Sequence, residues 1–187
     1  MARKKEYIEE EVIEKAMDLF WRNGYETTSM QMLEKEMGIN KFSIYASFGS
    51  KEGVFLESIK FYKQKLRQIT DKLKASSNGI AGLKQYFYDF IEFSRDATIR
   101  KGCLITNSAN ELDENANLKI KDELSKFTNN IRSLFANNLK KEEDLNAIEV
   151  EEKADYLIIS MFGLASASRV FNESQLYNYI ENIFKSL

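Results

Sequence analysis

The residues of this chain that could do chemistry are hydrogen-bond donors gathered in one short stretch. Between Thr27 and Lys51 the sequence reads TTSMQMLEKEMGINKFSIYASFGSK. Lys41 could donate to guanine, Ser43 to either base type, and Phe42 could touch a thymine methyl, while Tyr45 and Ser47 offer hydroxyls to phosphate. Lys51 carries an ammonium at the start of a following helix, where free amides add a second grip on phosphate, and Thr28 is a further phosphate candidate. Such donors read a nucleic acid only if one short helix carries them into a groove. The local signals supply that helix. Thr28 fits an N-cap with Gln31 three residues on, so a helix is predicted over 29–37 with Met30, Leu33 and Met37 on its apolar face. Gly38 suits a left-handed stop, and Asn40 caps a second helix over 41–47 with Ile44 turned inward and Phe48 as a plug. The spacing is that of a helix-turn-helix, with Ser50 capping the helix that follows at Lys51.

Catalysis finds little material. The 187 residues include no histidine and one cysteine, so an imidazole base and a Cys-His pair are both missing. Neither a metal-ligand cluster nor a phosphate-cradling glycine loop is spelled, and no cofactor is expected. The chain is read as a non-enzyme. Cys103 follows Gly102 at a predicted helix start beside Arg100 and Lys101. Helix amides and cations favour a reactive thiolate there, as a sensor of oxidants or electrophiles, while a small buried apolar residue is the other reading. A lone cysteine excludes an intrachain disulfide and suits a reducing compartment. No apolar run reaches membrane-span length and MARKKEY lacks a signal-peptide core, so a cytoplasmic protein is expected.

The chain has no proline, is 43% apolar and 30% charged, and shows no strand alternation, which together predict an all-α fold. Residues 1–52 carry 8 Lys and Arg against 10 Asp and Glu, a balance of 8 − 10 = −2. DNA contact must then rest on local cations such as Arg3, Lys4, Lys5, Lys41 and Lys51. A first helix is predicted over 7–23, with Trp21 and Tyr25 read foremost as plain core packing and otherwise as holding it against the reading pair. A long helix over 51–76 carries six cations between Lys60 and Lys74, read as a solvated face. After the break at Ser76-Ser77-Asn78-Gly79, helices are predicted over 83–93, 101–112, 115–140 and 154–170, with an acidic loop over 141–149. A last amphipathic helix starts near Leu176, capped by Asn172 and Gln175.

The pieces LFWRNGYETTSM and MGINKFSIYASFGSKEGVF together resemble the N-terminal DNA-binding domain of the TetR family of bacterial regulators, over residues 7–56. The Gly24-Tyr25 turn, the paired threonines, Tyr45, Phe48 and Ser50-Lys51 carry the likeness. Glu34, Glu36, Met37 and Phe42 stand where the family usually has small residues. KGCLITNSANEL, from Lys101 to Leu112, resembles a helix start in the regulatory domains of such proteins. The resemblance implies a reading domain over 1–50, a ligand-binding and dimerisation domain over 51–187, double-stranded operator DNA as partner, and repression relieved by a small-molecule inducer.

For that inducer, Tyr62, Leu66, Phe87 and Phe90 are expected to meet Phe93, Phe127, Ile131 and Phe162 around an apolar or aromatic ligand, with Cys103, Asn107 and Ser108 at the wall. A homodimer is expected through the last two helices, where Gly163, Ala165 and Ala167 allow close approach. The competing reading is a helical carrier or unrecognised enzyme, in which the helix-turn-helix is a packing corner. Burial of Lys41 and Tyr45 would favour that alternative.

Overall fold

The computed structural model describes residues 7–95, 101–114, 116–185 and 187. Arg3, Lys4, Lys5 and Arg100 lie outside them, as does Asn115, the expected start of the seventh helix. Among the described residues the chain is α-helical throughout, running α1 (Glu9–Asn23), α2 (Met30–Met37), α3 (Lys41–Phe48), α4 (Lys51–Ala75), α5 (Gly79–Phe93), α6 (Leu104–Glu111), α7 (Leu118–Leu139), α8 (Ala147–Ala167) and α9 (Glu173–Lys185).

The beam of the molecule is α4, whose 25 residues span about 37 Å at 1.5 Å per residue. Val54 and Phe55 in its first turns pack under α1, where Phe20 meets Phe55 edge-on with ring centroids 4.9 Å apart. Tyr62, Leu66 and Leu73 farther along are buried against the C-terminal helices, so one continuous core runs from α1 to α9. Three acids, Glu9, Glu10 and Glu11, stand in the first turn of α1, where the helix dipole favours them in place of a side-chain cap. The basic span of α4 is an exposed, paired face: Lys60 bonds to Glu57, Lys63 to Glu123, Lys65 to Glu14, Lys72 to Asp89 and Lys74 to Asp71.

Several expectations change. The fifth helix starts at Gly79 and not at Leu83, because the Ile80 amide donates to the Glu142 carboxylate at 2.6 Å, a cap supplied from 62 residues away. The eighth starts at Ala147, which shortens the acidic loop. Asn146 accepts from the amides of Ile148 and Glu149, while Glu149 accepts the Asn146 amide, a reciprocal capping box. In α7 the first residue, Leu118, is exposed, and Ile120 takes the first buried place. Trp21 packs in the core, as its plain-packing reading has it, and its indole N–H donates to the Gly102 carbonyl at 3.1 Å, joining α1 to the loop before α6. The cap at Asn172 and Gln175 forms as expected, each side chain accepting the other's amide at 3.0 Å.

Replacing Asn146 with alanine is expected to cost about 1 kcal/mol, the usual cost of losing an N-cap. Thermal unfolding followed by circular dichroism checks this, and an unchanged midpoint would show that α8 does not depend on the box.

Candidate nucleic-acid interface

The turn between α2 and α3 is fixed at both ends. Gly38 sits in the left-handed region at φ 69° and ψ 22°, and its amide closes α2 on the Glu34 carbonyl. Asn40 accepts the Ser43 amide at 2.9 Å, and the Glu34 carboxylate reaches across the turn to the Lys41 amide, also at 2.9 Å. Glu34 thus ties the two helices together, Glu36 pairs with Arg22 at 2.6 Å, and Met37 is buried. These three departures from the usual small residues are therefore structural. The cap of α2 is Ser29, whose hydroxyl accepts the Met32 amide. Thr28 is corrected on both counts: it is fully buried and its hydroxyl donates to the Gly24 carbonyl at 2.6 Å, so its side chain neither caps α2 nor faces a phosphate.

The surface of α3 splits cleanly. Ile44 is buried, whereas Lys41, Phe42, Tyr45 and Ala46 are exposed on one face, with Phe42 at 88%. A phenylalanine left in water at the second position of a capped helix has no packing role within this chain. The Lys41 ammonium lies 5.7 Å from the Tyr45 ring centroid, so a charge and a phenol share the patch. Ala46 was missed by sequence reasoning, although its place one turn after Phe42 is the signal. Ser43 and Ser47 are half-buried; the Ser47 hydroxyl is 2.6 Å from that of Tyr7, which also bonds to the Ser43 carbonyl. Ser50 caps α4 through the Gly53 amide. Lys51 lies over the Tyr25 ring at 4.4 Å and donates to the Glu26 carbonyl, and its burial lowers the ammonium pKa against the opposing pull of Glu26 and Glu111.

Behind this face, α6 connects the reading helices to the interior. Its last residue, Glu111, accepts the Glu26 amide at 3.1 Å and packs on Gly24, where a Cβ would lie 1.7 Å from Glu111 Oε1. Asn107 donates to the carbonyls of Lys101 and Trp21, so it braces the α1 junction and does not line a ligand wall. Ser108 is likewise committed to its own helix, at the Leu104 carbonyl. On the other side of α6, Cys103 and Thr106 face a cavity of about 20 Å³.

Leu66, Phe90, Phe127, Ile131 and Phe162 line that cavity with Cys103, as expected. Tyr62, Phe87 and Phe93 do not line it. Phe87 is packed on Phe135 and Phe184, Phe93 on Trp21 and Tyr62, and the Tyr62 hydroxyl donates to Cys103 Sγ at 3.3 Å. The wall also includes Tyr86, Thr106, Ile158, Met161 and Ala165. Helical spacing links Tyr86 to Phe90 and Thr106 to Cys103, which is how sequence could have found them. Cys103 is buried, as its reading as a small apolar residue has it, and Lys101 is held by Asp18 at 3.2 Å and by the Trp21 ring, away from the sensor arrangement.

The sequence matches the description "Bacterial regulatory proteins, tetR family" over residues 12–58 and "Tetracyclin repressor-like, C-terminal domain" over residues 79–184. It is 33% identical over 112 residues to the HTH-type transcriptional regulator YezE of Bacillus subtilis (strain 168), which covers 59% of this chain and 58% of that protein. It is 26% identical over 184 residues to IcaR, the HTH-type negative transcriptional regulator of the biofilm operon icaADBC in Staphylococcus aureus (strain Newman), covering 95% of this chain and 98% of that one. Among solved structures, a cysteine-substituted TetR family regulator, CifR, complexed with 26-bp double-strand operator DNA superposes with a TM-score of 0.89 at 26% identity over 99% of both chains. A TetR regulator from Legionella pneumophila, at 18% identity and a TM-score of 0.84 over 99% of this chain and all of that one, shares the fold. With its capped helix-turn-helix, its outward α3 face and both halves matched in order, this chain belongs to the tetR family of bacterial transcriptional regulators.

Proposed function

We propose that the chain is a homodimeric repressor whose α3 helices enter successive major grooves of a palindromic operator, and which a small apolar or aromatic molecule releases. The observation that carries the reading is the exposure of Phe42, beside Lys41 and Tyr45, on a short helix whose first turn is already capped from within. Exposure of Lys41 and Tyr45 also weighs against the packing-corner alternative. Base edges fall to Lys41, Phe42 and Ser43, and phosphates to Tyr45, Ser47 and Lys51. Residues 1–50 form the reader and 51–187 the body, with α4 common to both. The S. aureus relative is a negative regulator and the CifR structure holds operator DNA, which support repression and duplex binding. A protein acting on genomic operators works in the cytoplasm.

Release follows if the ligand prefers a body conformation in which α4 and α6 carry the readers to a spacing the operator does not match. Selection of genomic duplexes followed by titration at several salt concentrations tests DNA binding directly. Lys41→Ala is expected to relax preference at one operator position by about 1–3 kcal/mol, whereas Lys51→Ala should weaken all sequences alike and reduce the salt slope by about one. Absence of salt-dependent binding to any selected duplex would refute the reading.

A further inference from the structure

The interior cavity beside Cys103, at about 20 Å³, holds roughly one water. A second cleft of about 310 Å³ opens between the end of α4 and α5, with Ile69 and Leu73 on its apolar side and the Lys72–Asp89 pair at its rim. One residue, Tyr86, lines both spaces.

Tyr86 has the properties of a movable partition. It is 3% exposed, and its ring lies edge-on to Phe135 with centroids 5.4 Å apart. No hydrogen bond joins its hydroxyl to another described residue, so a change of rotamer breaks none, although Cys103 and Tyr62 act on it electrostatically. The neighbouring interior phenol, Tyr62, is anchored by contrast, through its bond to Cys103. We infer that cleft and cavity are one ligand channel interrupted by the Tyr86 side chain. Its ligand is a slender, largely apolar molecule with one hydrogen-bond acceptor, which enters between α4 and α5 and turns Tyr86 aside. The channel rests on the ligand-responsive reading of the regulator.

The cleft at about 310 Å³ already has the size of ordinary small-molecule sites but is an open groove, and the cavity is far below that size, so joining the two gives the groove an enclosed apolar end. Chemistry sets the ligand class. The inner wall is formed by Leu66, Phe90, Ile131 and Met161, with the hydroxyl of Thr106 and the Cys103 thiol among them. Burial, with a smaller contribution from Cys103, raises the Tyr86 phenol far above its ordinary value, so it stays protonated near neutral pH and can donate to an acceptor. A charged ligand would meet no opposite charge beyond the rim.

Cys103, the chain's one cysteine, is a built-in reporter. Its labelling by N-ethylmaleimide in the intact protein is expected to quicken about tenfold or more in Tyr86→Ala, because local opening governs access to a buried group. Tyr86→Phe, which keeps the ring, should label as the parent does. Ile158→Ala trims another wall of the same cavity and should quicken labelling much less. Ala75→Trp, placed at the outer cleft, should return the Tyr86→Ala variant to the parent rate. Octan-2-one should slow labelling of the parent chain, and octylammonium should not. Equal acceleration in Tyr86→Ala and Ile158→Ala, or no effect of Ala75→Trp, would overturn the channel, and absence of protection by the ketone would overturn the ligand class. Operator titration of the same variants reads DNA binding separately, so failure of the channel leaves the regulator assignment intact.

Discussion

Trp21→Ala is expected to remove about 3–5 kcal/mol of folding free energy, as truncation of a buried large ring generally does. That is a large part of the roughly 5–15 kcal/mol available to a domain. The size follows from what Trp21 touches. Its ring meets Tyr62 at 5.0 Å and Phe93 at 5.7 Å, the Lys101 ammonium lies 5.2 Å from its centre, and its N–H satisfies the buried Gly102 carbonyl. Gly102 itself is at φ 69°, where a Cβ would press on Arg169 and the Ala165 carbonyl, so this loop has little room to close over the void. Trp21→Phe should retain most ring contacts and lose about 1–3 kcal/mol through the unsatisfied carbonyl. Urea titration followed by circular dichroism at fixed protein concentration measures both. A loss under about 1 kcal/mol in Trp21→Ala would mean that reader and body are held elsewhere. Because Trp21 is the only tryptophan, its fluorescence in the parent chain also reports on this junction.

Ile159→Arg is expected to yield monomers and to lower affinity for a full operator by roughly 10²–10⁴-fold, the amount contributed by linking two binding modules. On α8, Tyr156 (44% exposed), Ile159 (71%) and exposed Gly163 and Ser166 recur every three or four residues, with Val170 (75%) continuing the line beyond the helix end. Tyr179 of α9 stands beside them, its hydroxyl 3.3 Å from where a Gly163 Cβ would lie. Scattered apolar residues are ordinary on a surface, but a continuous stripe over two adjacent helices suits a second copy of itself. Ala165, expected at this face, is 1% exposed and packed within the subunit, so a charge there would disrupt the core instead of the dimer. Sedimentation velocity with operator titration distinguishes the outcomes, and an unchanged dimer mass for Ile159→Arg would remove the stripe from the interface.

Local chemistry made the reading device legible in the sequence. Gly38, Asn40 and Ser50 act through bonds to residues at most four positions away, so their types and spacing alone specify α2, the turn and α3. The outward place of Lys41 and Tyr45 opposite Ile44 follows from helical periodicity in the same way. The amphipathic stripes of α1 and α4 likewise determined an all-helical core before any contact was known.

Contacts between residues distant in sequence belonged to the tertiary structure alone. Glu142 caps α5 across 62 residues, Glu111 reaches the Gly24–Glu26 turn across 85, and Trp21 bonds to Gly102 across 81. No window of neighbouring residues encodes such pairs, because each depends on how the helices stack. The interior shows the same division. Sequence placed its rings on inward sides, but Phe93, Phe127 and Phe162 are only half-buried, and it could not tell which rings face a cavity and which fill the core, since helical spacing gives the inward side of each helix and not the fit between helices. Only the packed structure placed Tyr86 between two spaces, drew Lys101 away from Cys103 toward Asp18, and turned the Thr28 hydroxyl inward.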